Sequence, residues 1–179
     1  MGLIGVLTAM SEKGISVGEK VYYDIIGAGA KKTYFGEPWM WVLRDTVQFS
    51  NNLAEVENRL NNANRTMMIH NGWGSLPDNS FRGSDYAANW VKFYDDHEWI
   101  VDFNSNHPQM DGIFYYDKFV QPSDNPCVGN ILEAYWGEIT PEVIFRDIAG
   151  YHATGDTQVV VMDPANQQIW AAWSAYKTA

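Results

Sequence analysis

The chain has 179 residues, a net charge of −10 and a hydrophobic fraction of 46%. This length is typical of one domain, and the apolar content is sufficient for a packed core, which excludes global disorder. The excess of carboxylates disfavours nucleic-acid binding, which needs clustered Lys and Arg, and also disfavours anionic membrane surfaces at neutral pH. No run of about 18 apolar residues occurs, so we predict no transmembrane span. The one cysteine, Cys127, cannot form an internal disulfide, and no zinc-site spacing is present.

The predicted elements follow from hydrophobic periodicity and from turn and cap residues. Over the first half of the chain they are strands at 2–8 and 15–23 joined by a turn at 11–14, a loop at 27–32, helices at 37–49 and 51–63, a short strand at 67–71 and a turn-rich connection at 72–83. Over the second half they are strands at 86–94 and 98–103, a loop at 104–112, helices at 126–136 and from 140 onwards, and a hairpin of strands at 157–162 and 169–174.

Two helix starts are especially clear in the sequence. Asn52 with Glu55 three residues later is typical of a capping box, and Leu53, Val56 and Leu60 then fall on one face together with Ala63. Thr140 followed by Pro141 and Glu142 also predicts a helix start, with Val143, Ile144 and Ile148 on its buried face. The order of strands and helices predicts an α+β chain in which sheets pack on sheets and helices cover the outside.

Residues 104–118 contain the densest group of candidate site residues, because amide, imidazole, carboxylate and ammonium groups alternate there with aromatic ones. Asn106 is a candidate oxyanion donor, although Asn is also common in turns. His107 is a candidate general base, but a loop residue held by local hydrogen bonds is the favoured interpretation. Asp117 and Lys118 either order a site electrostatically or form a structural ion pair.

Outside this stretch, four further positions have a functional and a structural interpretation. Glu19 is either a carboxylate directed into a pocket or half of an exposed pair with Lys20, and the exposed pair is favoured from the residues alone. Arg44 either fixes a site carboxylate or lies on a solvated helix face, which is slightly favoured. The run 70–74, HNGWG, either brings backbone amides near a ligand or forms a plain turn, which is favoured. Cys127 is either a nucleophile or, more commonly for its type, an inert buried thiol.

Several short motifs, in colinear order, resemble acid ceramidase and its relatives. Residues 4–10 and 15–20, IGVLTAM and ISVGEK, are similar to the family's GxLT strand and its following strand, which ends in Asn-Glu-Arg. Residues 39–45 are similar to an apolar helix ending in Leu-Thr-Arg, residues 52–62 to the SYEEAKNLL helix, residues 100–118 to the VVQTNYD…FLDDRR segment, and residues 157–174 to the terminal hairpin. The run around Asp117 and Lys118 resembles a slime-mould, Dcd-like branch of this superfamily most closely. The resemblance covers nearly the whole chain.

This resemblance implies an N-terminal-nucleophile hydrolase with a four-layer αββα sandwich, here incomplete at its N-terminus. Such a precursor cleaves itself before a cysteine, and the α-amine of that cysteine then acts as its base. The substrate implied is a fatty-acyl amide such as ceramide or an N-acylethanolamine. The implied catalytic residues are Glu19, Asn106, Asp117 and Lys118, and the implied substrate-binding residues are Arg44, Trp39, Trp41, His107, Phe114 and Tyr115, whose aromatic members could equally belong to the core.

The chain departs from the family pattern in ways that affect the expected activity. Cys127 does not stand at the nucleophile position, Gly18 replaces an Asn, and Lys118 replaces an Arg. We therefore expect residues 1–179 to be the C-terminal, β-subunit-like part of one such domain, inactive alone, with the rest of the same precursor as its partner. We expect no cofactor or metal, and a lysosomal or secreted location. The alternatives are a catalytically dead lipid-binding or structural homologue, and an acyltransferase or phospholipase-B-like member of the fold.

Overall fold

A computed structural model describes residues 4–21, 29–97, 110–114, 127–150 and 158–173 of the chain. The strands in these ranges are β1 (Ala9–Met10), β2 (Ile15–Val21), β3 (Ile69–Ser75), β4 (Ser80–Tyr86), β5 (Val91–Tyr94), β6 (Gln158–Asp163) and β7 (Gln168–Trp173). The helices are α1 (Trp39–Phe49), α2 (Leu53–Asn62), α3 (Cys127–Ala134) and α4 (Pro141–Val143), which continues as a π-helical segment (Ile144–Ala149).

Strands β1 to β5 form one antiparallel sheet in which every strand pairs with its neighbour in the sequence. Strands β6 and β7 form a separate two-stranded antiparallel sheet. The predicted α+β class is therefore confirmed.

One face of the five-stranded sheet packs against α1 and α2 and forms the main core. Alternate residues of each strand point to the same face, so Ile15 and Val17 of β2 share this face with Ile69 and Trp73 of β3. The buried residues of this core are Ile15, Val17, Val42, Leu43, Val47, Leu53, Val56, Leu60, Ile69, Trp73 and Tyr86. Burial of these side chains supplies the main driving force for this half of the molecule.

The prediction of a strand over residues 2–8 is wrong for the part that the structure describes. β1 contains only Ala9 and Met10. The preceding backbone bonds to a helix instead, because the Val6 N–H donates to the Met40 carbonyl (3.0 Å) and Gly5 lies directly against Met40. The predicted turn is confirmed, since Gly14 adopts φ +79° and its N–H donates to the Ser11 carbonyl.

The predicted turn-rich connection at 72–83 is also wrong. β3 continues to Ser75 and β4 begins at Ser80, so only residues 76–79 form the turn. The glycines of this segment therefore lie in paired strands, and the plain turn favoured for residues 70–74 is likewise incorrect. The single strand predicted over 86–94 is instead the end of β4, a turn closed by the Ala87 N–H and the Trp90 carbonyl, and β5.

The predicted helices and terminal hairpin are confirmed within the described ranges. The Asn52 side chain accepts a hydrogen bond from the Glu55 N–H (2.9 Å), and Leu53, Val56 and Leu60 are buried. The Thr140 side chain caps α4, and of its three predicted buried residues Val143 is buried while Ile144 and Ile148 are partly buried. The strand predicted at 98–103 and most of the loop at 104–112 lie outside the described residues.

Candidate functional site

Glu19 lies on the helix-packed face of β2, directly opposite Asn71 of β3. Asn71 in turn faces Ser84 of β4, so the three side chains form one polar row across the helix-packed face. Asn71 Nδ2 and Trp73 Nε1 both donate to the Ser84 hydroxyl, each at 3.3 Å. Cross-strand neighbours of this kind have Cβ atoms about 5 Å apart, so Glu19 and Asn71 are adjacent.

Two buried oxygen atoms in this row lack a hydrogen-bond partner among the described residues. They are Glu19 Oε2 and Asn71 Oδ1. A buried acceptor without a donor is costly, and such groups are rare in folded proteins. The Glu19–Asn71 pair is therefore complementary to an N–H or ammonium donor.

Burial raises the pKa of the Glu19 carboxyl above its ordinary value. The cause is desolvation, which disfavours the charged form of a carboxyl. A cation placed beside Glu19 would oppose this effect and restore the carboxylate. The site can thus hold a positively charged or N–H-bearing group.

The other described candidates do not gather around Glu19. Arg44 lies on the exposed side of α1, where its Nη1 donates to the Ile4 carbonyl (3.1 Å). Trp39 is partly buried and packs against the main core, as expected if it has a structural role. Trp41 is 47% exposed. Nothing in these contacts connects the three side chains to a common pocket.

Phe114 lies on the opposite face of the sheet from Glu19. Its ring packs on the backbone of Gly83 and against the rings of Phe81 (centroids 6.4 Å apart) and Tyr94 (6.3 Å). Gly83 belongs to a line of cross-strand neighbours that runs Gly18, Gly72, Gly83 and Tyr94. Because glycine has no side chain, the three glycines in this line leave room above the sheet for the Phe114 ring.

A buried polar network lies next to this glycine line. Asp85 Oδ1 is 2.6 Å from His70 Nδ1, and the Tyr94 hydroxyl donates to Asp85 Oδ2 (2.9 Å). His70 and Asp85 are each 3% exposed. Sequence reasoning missed this network because its members come from three strands. Side chains alternate between the two faces of a strand, so His70 and Asp85 could have been assigned to one face if the register of β3 and β4 had been known.

An apolar cleft of about 510 Å³ lies on the same face, between the sheet and the helices of the second half of the chain. This volume is within the usual range for small-molecule sites. The residues that line it are Gly72, Trp73, Gly74, Phe81, Arg82, Gly112, Ile113, Phe114, Val128, Leu132, Ile139, Ile144 and Ile148.

Asn106, His107, Tyr115, Asp117 and Lys118 lie outside the described residues, so their predicted roles remain predictions. Cys127 is the first residue of α3 and is partly buried. Within the described ranges, no group of three or more His, Cys, Asp or Glu side chains could hold a metal ion. None of the helices in those ranges has the length and apolar character needed to cross a bilayer.

The described residues thus define an α+β protein with a polar Glu19–Asn71 pair on the helix-packed face of a five-stranded antiparallel sheet. The chain is 29% identical over 174 residues to the protein dcd1A of Dictyostelium discoideum and 33% identical over 163 residues to dcd1B of the same organism. These alignments cover 96% and 89% of this chain but 38% and 32% of the two relatives. The chain is therefore related to Dcd-like proteins along most of its length and spans about a third of theirs. No protein-family model matches it.

Proposed function

We propose that this chain is part of an acid-ceramidase-like N-terminal-nucleophile hydrolase that cleaves the C–N bond of fatty-acyl amides. Two findings support the proposal: the colinear motif resemblance and the relationship to Dcd-like proteins that are about three times as long. In this proposal the five-stranded sheet and the β6–β7 hairpin belong to the two sheets of an αββα sandwich. The rest of the precursor is the partner, and the location is lysosomal or secreted.

The observation that carries the proposal is the Glu19–Asn71 pair, whose two buried oxygens, Glu19 Oε2 and Asn71 Oδ1, have no hydrogen-bond partner among the described residues. An N-terminal nucleophile has an α-amine, and an amide substrate has an N–H, and either group supplies the donor that this pair lacks. An α-amine has a pKa near 8, so it is partly protonated at neutral pH and suits a carboxylate neighbour. Glu19 would therefore orient the α-amine or the substrate.

The chemistry that the resemblance implies is a thiol attack in two steps. The α-amine of the terminal cysteine takes the thiol proton, the thiolate attacks the acyl carbon, and the proton passes to the departing amine. Water then cleaves the thioester and releases the fatty acid. In this scheme Asn106 would stabilise the oxyanion, while Asp117 and Lys118 would order the site.

A direct test is an amidase assay on the full-length polypeptide that contains this chain, with a fatty-acyl aminocoumarin as substrate. We expect turnover, and we expect Glu19→Gln to lower kcat/KM by about a hundredfold or more, because it removes the charge that holds the donor. The matched control is Glu12→Gln, in the exposed turn before β2, which should stay within about twofold of wild type.

Turnover that is equal in Glu19→Gln and Glu12→Gln would exclude a role for Glu19. Absence of turnover in the correctly folded wild-type polypeptide, with amides of short and long acyl chains, would contradict the hydrolase proposal itself.

A second candidate function is non-catalytic lipid binding, and the apolar cleft over the glycine line favours it. It predicts that the wild-type polypeptide binds a fluorescent fatty-acyl probe without cleaving an amide. A Gly72→Phe change should then weaken binding of the probe, since no atom lies within 4 Å of a Cβ built at this position and the new ring would occupy the cleft.

A further inference from the structure

A short loop before α1 exposes two adjacent aromatic side chains almost completely. Tyr34 is 90% exposed and Phe35 is 87% exposed. Burial of an aromatic side chain stabilises a fold, so a pair held in water at adjacent positions needs an explanation. We call residues 33–36 the aromatic loop.

Hydrogen bonds on both sides hold the aromatic loop in place. The Thr33 N–H donates to the Thr66 carbonyl (2.8 Å), and the Glu37 N–H donates to the Asn64 carbonyl (2.8 Å). The Thr66 hydroxyl donates to the Glu37 carbonyl (2.8 Å), and the Phe35 N–H donates to the Thr33 hydroxyl (3.1 Å). The two rings therefore project from a fixed backbone and are not the ends of a loose segment.

The backbone at Gly36 strengthens this conclusion. Its φ of +151° is a conformation that L side chains rarely adopt, and a Cβ there would collide with the Asn64 carbonyl oxygen. The close approach of the loop to the base of β3 thus depends on glycine. The fold holds this loop in one geometry that keeps the aromatic pair exposed.

Two exposed lysines, Lys31 and Lys32, precede the aromatic pair. They are the one adjacent pair of basic residues in a chain whose net charge is −10. The backbone of Lys31 is also fixed, since its N–H donates to Asn89 Oδ1 (2.8 Å) and its carbonyl accepts from the Ala88 N–H (2.9 Å). With Glu37 included, residues 29–37 have two positive charges and one negative charge.

We propose that the aromatic loop docks this protein on the surface of a lipid bilayer. Amphipathic aromatic side chains prefer the headgroup region, where the ring is buried and a polar tip such as the Tyr34 hydroxyl stays hydrated. Ammonium groups beside them contact lipid phosphates. Two exposed rings beside two exposed lysines match the headgroup region of a bilayer, which offers an apolar boundary and lipid phosphates together. This inference does not depend on the proposed hydrolase function.

The test is co-sedimentation of the full-length polypeptide that contains this chain with phosphatidylcholine vesicles, without and with phosphatidylserine. We expect binding to both. The double change Tyr34→Ser with Phe35→Ser should weaken it at least about tenfold on both vesicles, because two rings no longer enter the interface. The double change Lys31→Gln with Lys32→Gln should weaken binding mainly to the vesicles with phosphatidylserine, by about fivefold per lysine.

The matched control is Trp136→Ser in the turn after α3, which removes another aromatic residue that is 52% exposed and should leave binding unchanged. Thermal melts of all variants establish that each is folded. Absence of wild-type binding to either vesicle at millimolar lipid would overturn the proposal and leave a protein partner as the occupant. Equal losses in the Trp136 and aromatic-loop variants would also overturn it.

Discussion

At the scale of single residues, Glu19 shows what the alternation of side chains along a strand can and cannot predict. The period of β2 already places Glu19 on the same face as Val17, so an inward carboxylate was one of the two interpretations of the sequence. The residues alone nevertheless favoured an exposed Glu19–Lys20 pair, because an unpaired buried carboxylate is rare. The structure places the side chain in the polar row with Asn71, and this follows from strand pairing over more than fifty residues of sequence.

The raised pKa of Glu19 predicts a pH-dependent stability. A carboxyl whose pKa is higher in the folded than in the unfolded state binds its proton more tightly when folded. Stability is therefore lost as the pH rises from about the unfolded value of 4.5 through the raised folded value. Glu19→Gln removes this loss, so the variant should gain stability relative to wild type at pH 8 but not at pH 4.

Urea unfolding of wild type, Glu19→Gln and Glu12→Gln at these two pH values measures the effect. The free energy of unfolding of Glu19→Gln minus that of wild type should increase with pH. The same pH dependence in Glu12→Gln would contradict the assignment to Glu19, because that change lies in an exposed turn.

Structural features that depend on residues close in sequence were the most predictable. The Asn52 cap depends on residues within one turn of a helix, and the structure confirms it. The position of Arg44 shows the opposite case. Its hydrogen bond to the Ile4 carbonyl spans forty residues, so its sequence neighbours could not indicate it.

At the scale of elements, the β3–β4 hairpin was the main feature that the sequence concealed. Gly72, Gly74 and Gly83 are typical turn residues, so residues 72–83 were predicted as a connection. In the structure Gly72 and Gly83 are cross-strand neighbours, and Gly83 makes room for Phe114. A glycine within a strand thus allows close packing on one face of the sheet. Which residue packs there depends on how the strands pair, so the sequence alone did not indicate it.

The glycine line gives a matched pair of substitutions. Gly83→Ala should destabilise the protein by about 1–3 kcal/mol, because the new methyl group overlaps the Phe114 ring and the ring must shift. Gly72→Ala should be neutral or slightly stabilising, since no atom lies within 4 Å of its Cβ and Ala lowers the entropy of the unfolded chain.

Thermal or urea unfolding of both variants measures the difference. A loss of stability that is the same for Gly72→Ala and Gly83→Ala would mean that strand position, and not the contact with Phe114, determines the effect. That result would contradict the packing of Phe114 on Gly83, on the sheet face opposite α1 and α2.

At the scale of the whole molecule, the described residues form one five-stranded sheet and one two-stranded sheet. The five-stranded sheet has helices α1 and α2 on one face and its own core. The β6–β7 hairpin has only two strands, and Ile169 (51%) and Trp173 (72%) of β7 are exposed. A two-stranded sheet is marginally stable by itself in water. We therefore expect further strands to cover β7, as in the proposed sandwich.

The sequence indicated the α+β class and the terminal hairpin, because both follow from local periodicity and turn residues. It could not indicate which residues meet across the sheet. The His70–Asp85–Tyr94 network and the Glu19–Asn71 pair each depend on the register of β2, β3 and β4.

The most direct test of the central claim is the intact mass and N-terminal sequence of the purified full-length polypeptide that contains this chain. The proposed hydrolase activates itself by cleavage, so we predict two fragments, with these 179 residues in the one that begins with cysteine. A single uncleaved polypeptide, folded and stable under the acidic conditions in which processing is expected, would contradict the claim.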